Sequence, residues 1–267
     1  MAARSAQGPR AATSLDGGQL IASVERGLDV LLLFANSERP DLGVTEIARD
    51  LGISKAVVHR LLMTLASRRL IDADPATRRY RLGSAALTIG AAYLDRIDLT
   101  AQIAPHLRDL SNATQETAIM SVRSDWLCIH VMQVIPERDV RMEVAIGRPS
   151  PLHAGSSSMA FLAHLPDAER ERYLAQPELA ASIEGTVVDT RTLRADLEAI
   201  RYRGYAVSLG QGETGAACIA APVLDRHGEP VAVISVCGPT ERFGPRIEAV
   251  TPPLLAATRA VSRALGG

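Results

Sequence analysis

Few structures can be built on residues 44 to 65. Ile47, Ala48 and Leu51 make one apolar stripe at helical spacing, Gly52 follows as a turn residue with no Cβ penalty, and Ser54 stands where a second helix needs its N-cap. At about 100° per residue, Val57, Val58, Leu61, Leu62 and Leu65 gather on one side of that second helix, and Ala56, His59, Arg60, Met63 and Ser67 on the other. One face packs and the other is free to touch something. Two short helices broken at a glycine, the second with a mixed polar and basic outer face, make a helix-turn-helix whose second helix enters the major groove of DNA. Ordinary helical domains contain the same pattern, so the surrounding chain has to separate the two readings.

Residues 1 to 22, rich in Ala, Ser, Gly and Gln and carrying Arg4 and Arg10, read as a disordered arm. Ser23 is placed to cap a helix in which Val24, Leu28, Leu31, Leu32 and Ala35 recur at helical spacing as far as Asn36, before the turn-rich residues 37 to 43. Behind the recognition helix, residues 70 to 82 read as a β-hairpin turning at Asp74-Pro75, with Tyr80 and Leu82 on one side. Arg79 and Arg81 then share the opposite side, outward, within reach of phosphates. Residues 54 to 83 hold seven basic side chains against two acidic ones, in a chain whose formal net charge is −1. Positive charge confined to a recognition helix and its hairpin matches a nucleic-acid footprint. A winged helix-turn-helix over residues 23 to 84 follows. Its expected DNA contacts are Thr45, Ser54, Lys55, Ala56, Val57, His59, Arg60 and Met63 on the helices and Arg78, Arg79 and Arg81 on the wing.

With 267 residues there is room for a second domain. Residues 85 to 100 read as a linker helix, and residues 101 to 267 as an α+β domain on an antiparallel sheet. Its expected elements are a helix from Ile103 to about Asn112, a hairpin of Thr117 to Val122 and Trp126 to Val134, and a strand from Arg141 to Ile146. A helix opens at Gly155, another starts with Pro166 in its first position, and a third is capped by Thr190 and stops at Gly204. Strands from Ala216 to Leu224 and Pro230 to Cys237 precede a terminal helix over residues 246 to 265.

Hydrophobic content of 47% with 22% charge places the chain among soluble globular proteins. No apolar run reaches membrane-spanning length and the first twenty residues lack a signal-peptide core, so a cytoplasmic location without membrane partners is expected. Cys128, Cys218 and Cys237 suit reduced thiols better than a disulfide framework, and no motif asks for a metal or cofactor.

Three blocks carry a family resemblance: Thr45-Glu46-Ile47-Ala48 with Gly52, residues 58 to 65, and residues 74 to 83. In order and spacing they resemble the DNA-binding domain of IclR-type bacterial transcriptional regulators. That family often has Ser-Thr after the lysine of the recognition helix, where this chain has Ala56-Val57. The second half resembles the family's effector-binding domain in residues 151 to 156, 203 to 206, 218 to 223 and 234 to 239.

On the residues alone, Ser156, Ser157 and Ser158 before an apolar helix are either an anion seat or plain capping hydroxyls. The resemblance implies an effector pocket there, formed by Met142, Ser156, Ser157, Ser208, Ala216, Cys218, Ser235 and Cys237. Some members bear an acid where Ser208 stands and a serine where Cys237 stands, which implies a less charged pocket here. The resemblance further implies a linker helix around which dimers or tetramers form.

The expectation is therefore a ligand-responsive regulator, of a catabolic operon, with partners in operator DNA, a small carboxylate and further copies of itself. Repression and activation both stay open. A hydrolase built on Ser156 and His153 lacks the spacing of a nucleophile elbow, so no catalytic residue is expected. A third reading is a thiol or metal sensor using Cys128, Cys218 and Cys237 with His130 and His153.

Overall fold

The computed structural model describes residues 20–37, 39–94, 99–176, 179, 189–210 and 215–266. The expected N-terminal arm, Arg4 and Arg10 included, lies outside them except for its last residues. The chain divides into two units, Met1–Ile97 and Asp98–Gly267. Among the described residues no helix is long and apolar enough to cross a membrane.

The first unit runs α1 (Ala22–Ala35), α2 (Val44–Leu51), α3 (Lys55–Ser67), β1 (Ile71–Ala73), β2 (Tyr80–Leu82) and α4 (Ser84–Leu94). Gly52 adopts φ 66°, the left-handed conformation that ends α2, and the Ser54 hydroxyl accepts from the Val57 N–H at 3.4 Å to start α3. Val30, Phe34, Leu42, Ile47, Val58, Leu62 and Ile71 form its core. The wing is an antiparallel pair with Ile71 opposite Leu82. Leu42, inside the stretch expected to be turn-rich, exchanges two 2.9 Å backbone bonds with Tyr80 and adds a rung to it. Gly83 closes the wing onto α4, where a Cβ would run into the Arg69 carbonyl.

α1 corrects two expectations. Ile21, not Ser23, is its N-cap. The face of Val24, Leu28 and Leu32, expected in the core, is 54–58% exposed, and Val30 and Phe34 are buried instead. The helix carries apolar residues on two sides, and periodicity does not say which side meets α3. Of the expected linker helix, α4 describes Ser84–Leu94 and α5 (Leu99–Thr114) takes up the chain again before Ile103; residues 95–98 lie outside the description. Pro105 sits in the second turn of α5, whereas a proline is usually read as marking the first.

The second unit continues with β3 (Thr117–Ser124), β4 (Leu127–Val134), β5 (Pro149–Pro151), α6 (Gly155–His164), α7 (Asp167–Leu174), α8 (Thr190–Arg203), β6 (Ala206–Leu209), β7 (Ala216–Leu224), β8 (Pro230–Pro239), α9 (Thr240–Phe243) and α10 (Ile247–Ala264). Its strands form one antiparallel sheet in the order β5-β4-β3-β8-β7-β6. α6 packs on β6, β7 and β8 with α8 behind it, while α5 and α10 pack on each other and on β3, β7 and β8. Both faces are thereby covered, which is why β7 reads as an unbroken apolar run.

Several boundaries differ. Residues 141 to 146 are irregular rather than a strand: the Gln133 side-chain amide takes the backbone bonds of Val144 that a strand neighbour would take, and Thr117 Oγ1 donates to the Met142 carbonyl. Short β5, β6 and α9 were not expected. Asp189 caps α8 through the N–H groups of Arg191 and Thr192, with Thr190 the first helical residue, and Pro166 is the N-cap of α7.

The chain also departs from three reduced thiols. Cys218 and Cys237 stand opposite one another in the β7–β8 register, Cα atoms 4.3 Å apart, and are joined as a cross-strand disulfide. Only the strand register, which the spacing of 19 residues does not reveal, brings them together. Cys128 is free and buried.

Candidate functional site

The reading face comes first in the chain. With Val58 and Leu62 fully buried, Lys55, Ala56, His59, Arg60 and Met63 are exposed together on the opposite side of α3, and Val57 is half-buried at the margin. Thr45 is exposed at the start of α2, while the Ser54 hydroxyl is occupied as the cap of α3. A helix with a free basic and apolar face can offer an arginine to guanine and a methyl-sized contact to thymine. Arg78, at φ 55° in the wing turn, and Arg81 are exposed beside it in sequence.

Arg79 does not join them. It turns inward from the wing, donating through Nε to the Asp41 carboxylate and through Nη2 to the Asp41 carbonyl at 3.1 Å and to Glu46 Oε2 at 2.8 Å. Glu46 in turn accepts from the Gly43 N–H at 2.7 Å and from Arg39 at 2.9 Å. The Gly43 bond and then the Arg79 and Arg39 charges hold the Glu46 carboxyl below its usual range, against the opposing effect of its partial burial. The alternation that placed Arg79 outward fails because Leu42 pairs beside Tyr80, leaving two acids within Arg79's reach. Its role is to fasten the wing to α2.

The Arg79→Ala variant is therefore expected to lower the melting temperature of the first unit by a few degrees, and Arg81→Ala to leave it in place. A carboxyl with a depressed native pKa contributes stability above its unfolded value, and that contribution is lost as pH falls through the native value. Acid melts should show the wild type losing its advantage over Arg79→Ala below about pH 4. Equal melts of all three proteins at neutral pH would remove this assignment.

The second candidate site is a cavity of about 140 Å³ between the sheet and the amino end of α6. Six of the eight expected pocket residues line it: Ser156, Ser157, Ser208, Cys218, Ser235 and Cys237. Met142 and Ala216 do not reach it. They belong to a small apolar cluster with Ile119, Val144 and the two cysteines. Ser158, the third serine of the expected anion seat, lines it too, and His130 and Ser150 do so without having been expected there. Strand alternation alone would have placed His130 on one face of β4, but only pairing shows which face meets α6.

Among the described residues the lining contains no carboxylate, lysine or arginine. The Ser157 hydroxyl donates to Ser235 at 3.1 Å, Ser150 and Ser158 hydroxyls lie 3.2 Å apart, and His130 Nδ1 meets the Ser121 hydroxyl at 2.8 Å. Burial lowers the His130 pKa, favouring the neutral ring. α6 has Ala154 as N-cap with no side-chain cap bond, so its first backbone N–H groups are left to whatever occupies the cavity. A larger open groove of about 360 Å³ between α5 and α10 is mostly apolar, with His106 and Asp109 its ionisable lining residues.

The hydrolase reading loses its geometry, and so do the metal-binding and three-cysteine forms of the sensor reading. His153 Nδ1 bonds the Tyr173 hydroxyl at 2.7 Å rather than Ser156, as a structural histidine would. Cys128 belongs to the main core under α6, away from the cluster of Cys218 and Cys237, and burial pushes its thiol up to about 11. Among the described residues no three His, Cys, Asp or Glu side chains converge to hold a metal.

Comparison with known proteins gives two family matches. Residues 23–75 match the IclR helix-turn-helix domain and residues 91–263 the bacterial transcriptional regulator IclR C-terminal domain. The chain is 35% identical over 243 residues to the HTH-type transcriptional regulator BhcR of Paracoccus denitrificans, covering 91% of this chain and 86% of that one. It is similar to the crystal structure of an IclR regulator from Alicyclobacillus acidocaldarius, with TM-score 0.78, 28% identity, and coverage of 93% and 100%. The fold is also that of an IclR homologue from Microbacterium hydrocarbonoxydans solved with 4-hydroxybenzoate, with TM-score 0.74, 22% identity, and coverage of 91% and 98%.

Proposed function

The chain belongs to the IclR family of bacterial transcriptional regulators, and from that premise we propose that it binds a small organic acid in the cavity at α6 and thereby alters its hold on operator DNA. As a family member it is a DNA-binding regulator and not an enzyme. The observation that carries the effector reading is the uncapped amino end of α6 opening on an uncharged, hydroxyl-lined cavity. Backbone N–H groups at a helix start favour an anion, serine hydroxyls add donors, and no acidic side chain among the described residues lines the cavity to repel it. A carboxylate would sit against Ser156 and Ser157, its body along Ser208, Cys218, Ser235 and Cys237, with Met142 and Ala216 supporting those side chains from behind. The cavity suits a small acid, and the 4-hydroxybenzoate held by a relative belongs to that class.

A homo-oligomer doubles the operator sequence that can be read. Exposed apolar side chains in the first unit support self-association: a stripe of Val24, Leu28 and Leu32 on α1, and Leu87, Ile89 and Tyr93 around α4. The regulator would act in the cytoplasm on a catabolic operon.

Thermal melts with benzoate, 4-hydroxybenzoate and short aliphatic acids, each paired with its methyl ester, test the pocket. At about a hundredfold excess over Kd a bound ligand stabilises by about 2.7 kcal/mol. At least one acid should raise the melting temperature while its ester does not, and Ser157→Val should remove that response. Equal shifts with acid and ester, or none with any acid, would overturn the carboxylate reading. An acid that binds tightly yet leaves operator affinity unchanged would overturn the coupling.

A further inference from the structure

We propose that Cys218 and Cys237 form a reversible dithiol–disulfide site that small thiols and disulfides reach through the cavity, and that its state governs how firmly the segment bearing Met142 and Val144 is held. The proposal goes beyond the effector reading and stands without it. Three observations meet here. The two cysteines are direct partners in the β7–β8 register, with Cα atoms 4.3 Å apart, close enough for their sulfurs to be joined without any shift of the strands. Both line the same cavity, Cys218 half-buried and Cys237 buried, so an incoming sulfur has an approach to Cys218 and Cys237 is the natural leaving group. Both also pack in one small cluster with Met142 and Val144, apart from the main core.

Reduction proceeds by two exchanges. A low-molecular-weight thiolate attacks Cys218 Sγ, the Cys218–Cys237 bond breaks, and Cys237 leaves as a thiolate that takes a proton. A second thiolate attacks the external sulfur of the mixed disulfide, releasing the small disulfide and the Cys218 thiolate, which is protonated in turn. The net change is protein disulfide plus two small thiols giving protein dithiol plus one small disulfide, and oxidation by a small disulfide runs it backwards. Separated sulfurs need more room than bonded ones. That room lies in the cavity and under Met142 and Val144, on a segment anchored by Thr117 at Met142 and by Gln133 at Val144. Cys128 stays outside the exchange, buried in the other cluster with its thiol pKa raised.

The full-length protein, equilibrated in buffers spanning reduced to oxidised glutathione, quenched with iodoacetamide and mapped by peptide mass, tests the chemistry. Cys218 and Cys237 should convert together, the linked peptides losing two hydrogens, while Cys128 remains a thiol throughout. A pair locked in one state across the series, or a disulfide that includes Cys128, would overturn the site. Hydrogen exchange on the two forms, with no ligand added, tests the coupling. Amides of residues 140 to 146 should exchange several-fold faster in the reduced form, and the Cys218→Ala variant should lose that difference between buffers. Equal exchange in both forms would overturn the link to the segment. Because neither measurement uses an acid ligand, failure of the effector reading would show up separately, in the melts above.

Discussion

Replacing Arg242 with alanine is expected to lower the melting temperature of the C-terminal unit by roughly 6–12 °C, taking about 3 kcal/mol of lost stability and about 2–4 °C per kcal/mol for a unit of this size. The Glu116 carboxylate is fully buried, and Arg242 grips it with both arms of its guanidinium at 2.7 and 2.8 Å. Removing the arginine leaves a buried charge that, among the described residues, Arg246 answers from 3.9 Å. Gly238 leaves the space that the carboxylate fills, since a Cβ there would collide with it and with Phe243. The same Arg242 donates to the Val140 carbonyl at 3.0 Å, so the variant should also loosen the segment that leads to Met142 and Val144. Removing both charges in Glu116→Gln/Arg242→Leu should recover much of the loss, because it is the uncompensated ion that is costly. A melt of Arg242→Ala within a degree of wild type would show that the pair contributes little.

Arg60→Ala should weaken operator binding by tenfold or more, since a bidentate arginine–base contact contributes about 1–3 kcal/mol. Its side chain is exposed on the face of α3 opposite the buried Val58 and Leu62, and the variant should melt like wild type. Arg81→Ala should act differently, weakening binding to all sequences alike and reducing the salt slope by about one unit. Titrations of labelled operator and of unrelated DNA at several salt concentrations separate the two. Unchanged binding by both variants would defeat the assignment of helix and wing.

The contrast between Arg79 and Arg81 shows how far the chain could be read in advance. Both lie on one side of a hairpin by alternation, and the hairpin formed where the Asp74-Pro75 turn placed it. Only Arg81 is exposed, because Leu42 folds back onto Tyr80 and brings Asp41 and Glu46 to Arg79. The exposed stripe of α1 has the same origin: Val24, Leu28 and Leu32 satisfy a helical period, as Val30 and Phe34 do, and a period does not choose between two apolar faces. In the pocket, the resemblance led to six lining residues and the serine run to Ser158, while His130 and Ser150 came into view only once β4 and β5 were paired.

By itself the sequence determined what short-range forces decide: the Gly52 turn, the Ser54 cap, the buried side of α3, the apolar strands and their turns. These depend on residues within a few positions of one another, where spacing and side-chain chemistry act directly. Tertiary structure alone decided which long-range partners met. It turned Arg79 inward to its acids, set Arg242 on the buried Glu116, and brought Cys218 beside Cys237 at the wall of a cavity. Strand register and the packing of helices on a sheet join residues far apart in the chain, and no local periodicity records them.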